Sequence, residues 1–146
     1  MAAPKTSKRF FTVAEANNAL PLVRAIVQDI TQLAHELRER HERLARLKPG
    51  DRFRLSDAHE EELRQVQTEL ERGQVRMEEY VRELAQLGVE LKEYFIGLID
   101  FPSLLNGRPV YLCWRLGEPE VAHWHELEAG FAGRQKLPSH AGSAAE

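Results

Sequence analysis

Residues 112–135, LCWRLGEPEVAHWHELEAGFAGRQ, concentrate side chains that can do chemistry. This run holds both tryptophans of the chain, two of its six histidines and its only cysteine, Cys113. Thiolate, imidazole and carboxylate groups are typical ligands of zinc and iron in proteins. Cys113, His125 and Asp100 are therefore candidate ligands of a metal ion, either zinc or iron.

The spacing of these residues leaves other readings open. The chain has neither the Cys-x-x-Cys nor the His-Glu-x-x-His spacing of well-defined metal sites. Cys113 can instead be a small half-buried hydrophobic residue, and His125 a hydrogen-bonded packing residue. A third alternative is nucleophilic catalysis by Cys113, with His125 as the base and Asp100 orienting it. No catalytic residue is assigned, and the sequence leans away from an enzyme.

The glycine-bounded segment GFAGRQ, residues 130–135, suggests anion binding. Glycines allow backbone N–H groups to turn towards a ligand, and an arginine fork matches a carboxylate or phosphate. Arg134 and Arg115 are the candidate arginines. The alternative is a C-terminal strap in which Phe131 fills the core and Arg134 pairs with a glutamate of a helix.

Two helices are expected ahead of this region. Thr12 and Glu15 fit a capping box, and Pro21 after two asparagines predicts a break or kink near residue 20. Both helices then carry apolar residues at alternating three- and four-residue steps, which predicts an antiparallel, coiled-coil-like hairpin around a KPGD turn at 48–51. In this hairpin Leu37 faces Gly73, where the two backbones can approach closely. The first series is Val23, Ile26, Ile30, Leu33, Leu37, Leu44 and Leu47, with Arg40 as its one polar member, and the second is Leu63, Val66, Leu70, Gly73, Met77, Tyr80, Leu84 and Leu87.

After Gly88, short β-branched and aromatic runs predict an antiparallel meander of three or four strands. A two-residue turn at Asn106-Gly107 places Asp100 opposite Cys113 and Phe101 opposite Leu112. One face then carries Ile99, Phe101, Leu112 and Trp114 and packs on the helices, while the other carries Leu98, Asp100, Cys113 and Arg115. A bulge is expected around Pro102.

The turn around GEPE, residues 117–120, decides where the histidines point. A three-residue loop puts His123 and His125 on the face of Asp100 and Cys113. A two-residue loop puts them on the apolar face and leaves Trp124 and Glu126 beside Cys113. The sequence leaves both registers open.

Four motifs resemble a bacterial family of uncharacterised proteins, domain of unknown function 2203. They are FFTVAEANNALPLV at 10–23, GLIDFP at 97–102, LCWRLGE at 112–118 and WHELEAGFAGRQ at 124–135. His125 matches the family motif, whereas His123 stands where the family typically has tyrosine or another aromatic residue. That departure weakens a mechanism that needs both histidines. The resemblance implies no activity.

The whole chain fits one α+β domain over residues 10–137, with a helical hairpin at 12–88 and a meander and strap at 89–137. Residues 1–9 and 138–146 are expected to be disordered tails. The net charge of −3 and the two glutamates among the basic residues of RERHERLARLK, 38–48, disfavour nucleic acid. No signal peptide or membrane-spanning run is apparent, and a lone cysteine gives no disulfide, so a cytoplasmic protein is expected.

The sequence therefore predicts a non-catalytic binding or interaction protein whose working surface is on the C-terminal sheet. Its partner would be another protein or a small anionic ligand, and no membrane is involved. The alternatives are a metal-binding protein or metal-dependent enzyme, and a structural homodimer that presents the helical hairpin. The candidate ligand-binding residues are Asp100, Arg115, His125, Glu126 and Arg134.

Overall fold

A computed structural model describes residues 9–47 and 56–138 and confirms an α+β arrangement. The predicted tails, apart from residues 9 and 138, and the KPGD turn lie outside these ranges. Within them, no helix is long and apolar enough to cross a membrane. The elements are α1 (Val13–Leu47), α2 (Asp57–Gln86), β1 (Glu90–Glu93), β2 (Leu98–Leu105), β3 (Arg108–Arg115), β4 (His123–His125) and β5 (Gln135–Lys136).

The start of α1 is the predicted capping box. The backbone N–H of Thr12 donates to Glu15 Oε1, and the N–H of Glu15 donates to Thr12 Oγ1, both at 3.0 Å. The predicted break near residue 20 is wrong, because α1 continues through Pro21. Leu20 and Val23 on either side of the proline are buried in the core, so packing outweighs the lost helical hydrogen bond.

The two helices pack together along their predicted apolar faces. Leu33, Leu37, Val66 and Leu70 form one buried cluster between them. The close approach at Gly73 is confirmed, since a methyl group added there would overlap Cδ2 of Leu37. Two ion pairs also join the helices, one between Arg40 and Glu69 at 3.2 Å and one between Arg43 and Glu62.

Gly88 ends the second helix as predicted, with a φ of 89° that suits glycine. The strands that follow form one antiparallel meander in the order β1-β2-β3-β4-β5. Five strands replace the expected three or four, because the C-terminal segment pairs with β4 as a short fifth strand. The N–H of Leu137 extends this pairing by donating to the carbonyl of Ala122 at 2.8 Å.

The predicted register of β2 with β3 is confirmed over both strands. Asn106 and Gly107 have φ values of 54° and 79°, which is the two-residue turn whose twist matches that of the strands. Asp100 pairs with Cys113 and Phe101 with Leu112.

The predicted bulge around Pro102 is wrong, because Pro102 pairs regularly with Tyr111. The carbonyl of Pro102 accepts a bond from the N–H of Phe11 at 2.7 Å and so points away from β3. In a strand the nitrogen points to the same side, so the missing N–H of the proline removes no bond from the β2–β3 ladder. The observed irregularity lies between β1 and β2, at Leu91/Glu93.

The core lies between the helices and one face of this sheet. Trp114 and Phe101 are fully buried there and pack with Val23, Val27 and Ile30 of α1. The indole N–H of Trp114 is satisfied by the carbonyl of Glu118 at 3.0 Å. Since alternate residues face opposite ways, Asp100 and Cys113 lie on the outer face.

Replacing Gly73 by leucine should destabilise the protein by about 1–3 kcal/mol, because the added side chain has to occupy the volume of Leu37. Combining Gly73→Leu with Leu37→Ala should recover part of the loss. Urea unfolding measures both, with Val75→Leu on the exposed face of α2 as a nearly neutral control. Equal stability of Gly73→Leu and the wild type would contradict the close approach of the helices.

Candidate functional site

The pairing of β4 with β3 brings both histidines to the outer face. His123 lies opposite Cys113, Trp124 opposite Leu112, and His125 opposite Tyr111. This is the face expected for a three-residue loop, but the connection is longer, covering residues 116–122. The register is consequently shifted by two residues, which leaves the facing of each side chain unchanged.

Asp100, Cys113 and His125 converge at the centre of this outer face. Asp100 and Cys113 are direct cross-strand partners, and His125 lies diagonally across from Cys113 on the next strand. One ligand atom from each of the three residues lies within 4.8 Å of the others. Their exposed fractions are 2%, 0% and 2%. The three residues predicted as metal ligands therefore form one buried cluster.

Both ring nitrogens of His125 are engaged. Nδ1 lies 2.7 Å from the carbonyl oxygen of Glu126, and Nε2 lies 3.0 Å from Asp100 Oδ2. A carbonyl oxygen only accepts hydrogen bonds, so Nδ1 carries a proton. A carboxylate oxygen also only accepts, so the 3.0 Å contact between Nε2 and Oδ2 requires one proton, carried by either group, or a cation between them.

The carboxyl group of Asp100 is incompletely satisfied. Its second oxygen, Oδ1, is buried and has no hydrogen-bond partner of regular geometry, although the Cys113 thiol is close enough to this carboxyl group to act on it as a donor. Burial raises the pKa of Asp100 above its ordinary value, and the opposing effects of His125, Lys92 and Cys113 do not cancel this shift. A buried carboxylate with an open acceptor position costs free energy unless something binds to it.

Cys113 is a thiol rather than a thiolate at neutral pH. Burial, reinforced by the negative charge of Asp100, raises the pKa of Cys113 to about 12. Since the thiolate is the nucleophile, this environment does not favour catalysis by Cys113. A metal ion could still take the place of the thiol proton, because metal binding and deprotonation are coupled.

A pocket of about 170 Å³ adjoins the cluster. Its polar walls are Lys92, Asp100, Tyr111 and His125. The remaining walls are largely apolar and consist of Leu98, Leu127, Gly130 and Phe131. Two members of the cluster, Asp100 and His125, are thus also walls of the pocket.

Lys92 is held in place at one side of this pocket. Its Nζ lies 3.0 Å from Glu90 Oε1 and 5.3 Å from the centre of the Tyr111 ring. The Tyr111 hydroxyl donates to Glu90 Oε2 at 3.1 Å. Burial opposes the charged form of Lys92, but the hydrogen bond and charge of Glu90 raise its pKa above the usual value. Lys92 therefore contributes a fixed positive charge.

Arg134 is engaged within the protein. Its guanidinium binds Glu118 bidentately, at 2.8 and 2.9 Å, and donates to the carbonyl of Cys113 at 3.2 Å. Glu118 belongs to the β3–β4 connection, so the expected pairing of Arg134 with a helix glutamate is wrong. The expected placement of Phe131 in the core is also wrong, since Phe131 is 39% exposed.

Two other predicted residues lie outside the cluster. Glu126 pairs with Arg108 through its side chain and supports His125 only through its backbone carbonyl. Arg115 is exposed and lies 5.8 Å from the centre of the Phe131 ring. Arg134 lies over the same ring at 4.8 Å, so the two arginines flank Phe131 and do not form the expected two-arginine fork.

Sequence reasoning missed Lys92 and Tyr111 as pocket residues. Tyr111 is two residues from Cys113 in the same strand, so strand alternation alone could have placed it on the outer face. Lys92 follows Leu91 at the irregular part of the β1–β2 pairing, and no turn signal in the sequence indicated that register.

Metal-free native protein should react slowly with iodoacetamide, because Cys113 is buried and its thiol is protonated. Unfolding in urea should increase the rate at pH 8 by at least about 100-fold. Mass spectrometry of the alkylated protein follows the reaction. Similar rates in the folded and unfolded protein would show that the thiol is accessible and activated.

The Glu118–Arg134 pair should make stability depend on pH. Burial alone would raise the pKa of Glu118, but hydrogen bonds from Arg134 and from the backbone of Arg115 lower it below the ordinary value of 4.5. Because the pKa of Glu118 is lower in the folded state than in the unfolded state, Glu118 stabilises the protein at pH values above its unfolded-state pKa. This contribution is lost as the pH falls through the folded-state pKa.

Glu118→Gln should therefore cost about 2 kcal/mol at pH 7, with a smaller difference from the wild type below pH 4. Urea unfolding across this pH range tests this. Glu126→Gln is the matched control, because its exposed pair with Arg108 should contribute at most about 1 kcal/mol. An unchanged free energy of unfolding for Glu118→Gln would refute a stabilising role.

No curated protein and no solved structure matches the chain. A family described as "Uncharacterized conserved protein (DUF2203)" matches residues 9–137, which includes both helices, all five strands and the Asp100–Cys113–His125 cluster. The chain therefore belongs to the DUF2203 family.

Proposed function

We propose that this protein binds one divalent transition-metal ion, zinc or iron, through Asp100, Cys113 and His125. The observation that carries the proposal is the convergence of one oxygen, one nitrogen and one sulfur donor within 4.8 Å in a buried position. A donor set of this kind suits zinc or iron, whereas calcium and magnesium prefer oxygen ligands alone.

The hydrogen bonding of His125 supports this proposal. Its Nδ1–H is held by the carbonyl of Glu126, which directs the lone pair of Nε2 into the cluster. Metal-ligating histidines commonly donate their other ring N–H to a carbonyl or carboxylate in this way. The unpartnered Oδ1 of Asp100 supplies a further acceptor beside the same point.

The distances require only a small adjustment. Metal–ligand bonds of about 2.0–2.3 Å place the donors of a tetrahedral ion about 3.3–3.7 Å apart. Asp100 Oδ2 and His125 Nε2, at 3.0 Å, would separate slightly, and the widest donor pair would close. Binding also requires Cys113 to lose its proton, so affinity should increase with pH.

The second candidate is a metal-free, non-catalytic binding module for a small ligand or a protein partner. The pocket beside Asp100 and His125 favours it, because concave sites with a few polar groups commonly bind ligands. In that case a proton lies between Asp100 and His125, and the two hydrogen-bonded residues form a polar wall of the ligand pocket. Metal content separates the two candidates.

Three further points remain proposals. The lone buried Cys113, which forms no disulfide, is compatible with action in the cytoplasm. The apolar spacing of α1 and α2 supports coiled-coil packing between them. In a homodimer, a second copy of the chain would contact the charged outer faces of these helices.

Zinc titration against a chromogenic chelator tests the proposal on protein whose purification tag has been removed. The wild type should bind one zinc ion per chain. Cys113→Ser, Asp100→Asn and His125→Gln should each weaken binding by at least about 100-fold, since each removes a direct ligand. Thermal melts of the metal-free variants establish that they remain folded.

His123→Ala is the matched control. His123 lies on the same strand and face as His125 but outside the donor cluster, so its loss should leave zinc affinity nearly unchanged. A wild-type stoichiometry near zero would refute the metal site. Undiminished zinc binding in both Cys113→Ser and Asp100→Asn would refute it equally.

A further inference from the structure

We propose that the bound ion keeps an exchangeable position open to the adjoining pocket, and that this position takes the head group of a small monoanion with an apolar body. Monocarboxylates and hydroxamates of about the size of benzoate belong to this class. This inference rests on the metal site proposed above and assigns that site a ligand.

The number of protein donors leaves a position free. Asp100, Cys113 and His125 supply three ligands, whereas structural zinc sites are usually closed by four protein ligands. Sites with three protein ligands keep a fourth position for water or for an exogenous molecule.

The burial of the donors gives this position a direction. Asp100 and His125 line the pocket, whereas Cys113 is fully buried and does not line it. An ion held by all three therefore has Cys113 on the protein side and the pocket on the side of Asp100 and His125. An exchangeable ligand would enter from the pocket.

The charge of the walls favours an anionic head group. A divalent ion with the carboxylate of Asp100 and the thiolate of Cys113 is neutral, so these groups alone do not repel an anion. Lys92 adds a positive charge to the wall. Its ion-pair partner Glu90 pairs with Asp100 across β1 and β2 and offsets part of this charge, but Glu90 does not line the pocket, so the group of β1 that the pocket wall presents is the ammonium group of Lys92.

The far side of the pocket fits an apolar body. Leu127 and Phe131 are 48% and 39% exposed, although such side chains gain free energy when they are covered. Arg115 and Arg134 lie over the Phe131 ring, at 5.8 and 4.8 Å from its centre. The volume of about 170 Å³ is smaller than that of sites for drug-sized molecules, so the body is a short chain or a single ring.

Isothermal titration of zinc-loaded protein tests the inference, with metal content measured on the same sample. The probes are butyrate, benzoate and benzohydroxamate, and benzamide is the uncharged analogue of similar shape. At least one anion should bind to the zinc-loaded protein. Its affinity for the metal-free protein should be at least about tenfold lower, a difference of about 1.4 kcal/mol. Benzamide should bind to the zinc-loaded protein at least about tenfold more weakly than that anion.

Phe131→Ala and Lys92→Gln should each weaken binding of that anion while leaving zinc content at one per chain. Leu104→Ala is the matched control, because Leu104 is a similarly exposed apolar residue of β2 that does not line the pocket. It should leave binding unchanged.

The outcomes separate this inference from the metal site itself. Full zinc content without binding of any probe anion would overturn the inference and leave the metal site standing. Equal binding to metal-free protein would also overturn it, because the anion would not require the ion. Failure to load zinc would instead overturn the proposed function on which the inference rests.

Discussion

The two-residue turn at Asn106–Gly107 fixes the pairing of β2 with β3, and the arrangement of both faces of the sheet follows from that pairing. A shift of one residue would exchange the faces, exposing Trp114 and burying Asp100 against the helices. Positive φ values at both turn residues hold the tight loop that prevents such a shift. The apolar core and the polar cluster are thus two consequences of one backbone constraint.

The outer face combines groups that are individually unfavourable when buried. A carboxyl, an imidazole and a thiol lie together with exposed fractions of 2% or less, and one carboxyl oxygen of Asp100 lacks a hydrogen bond. A sheet selected only for stability would gain from apolar residues at these positions. The Glu118–Arg134 pair differs, since its two groups carry opposite charges and are joined by two hydrogen bonds, although Arg134 Nε is also buried without a partner. The pair ties the β3–β4 connection to the segment preceding β5. This contrast is why we assign binding to Asp100, Cys113 and His125 and a structural role to Arg134.

Much of this arrangement could be predicted from sequence because strong local signals determine it. The capping box at Thr12, the Asn106-Gly107 turn and the apolar spacing of the helices each act over a few residues. They predicted the α+β fold, the β2–β3 register and the Leu37–Gly73 approach. The placement of Asp100 beside Cys113 followed from the same register.

Features that depend on longer-range packing could not be predicted in this way. The facing of His125 depends on a seven-residue connection, 116–122, whose length no local motif sets. The fifth strand has only two residues and takes its stability from β4. Helix α1 continues through Pro21 because tertiary burial outweighs the local preference of proline. Arg134 contacts Glu118 because the C-terminal segment folds back across β4.

The central claim is that one sulfur, one nitrogen and one oxygen of this chain hold a single ion. X-ray absorption at the zinc edge of the loaded protein tests it most directly, because sulfur and lighter ligands scatter differently. The account predicts one sulfur at about 2.3 Å and two or three nitrogen or oxygen ligands at about 2.0–2.2 Å, with the sulfur lost in Cys113→Ser. A first shell of nitrogen and oxygen alone in the wild type would show that zinc binds elsewhere and would contradict the account.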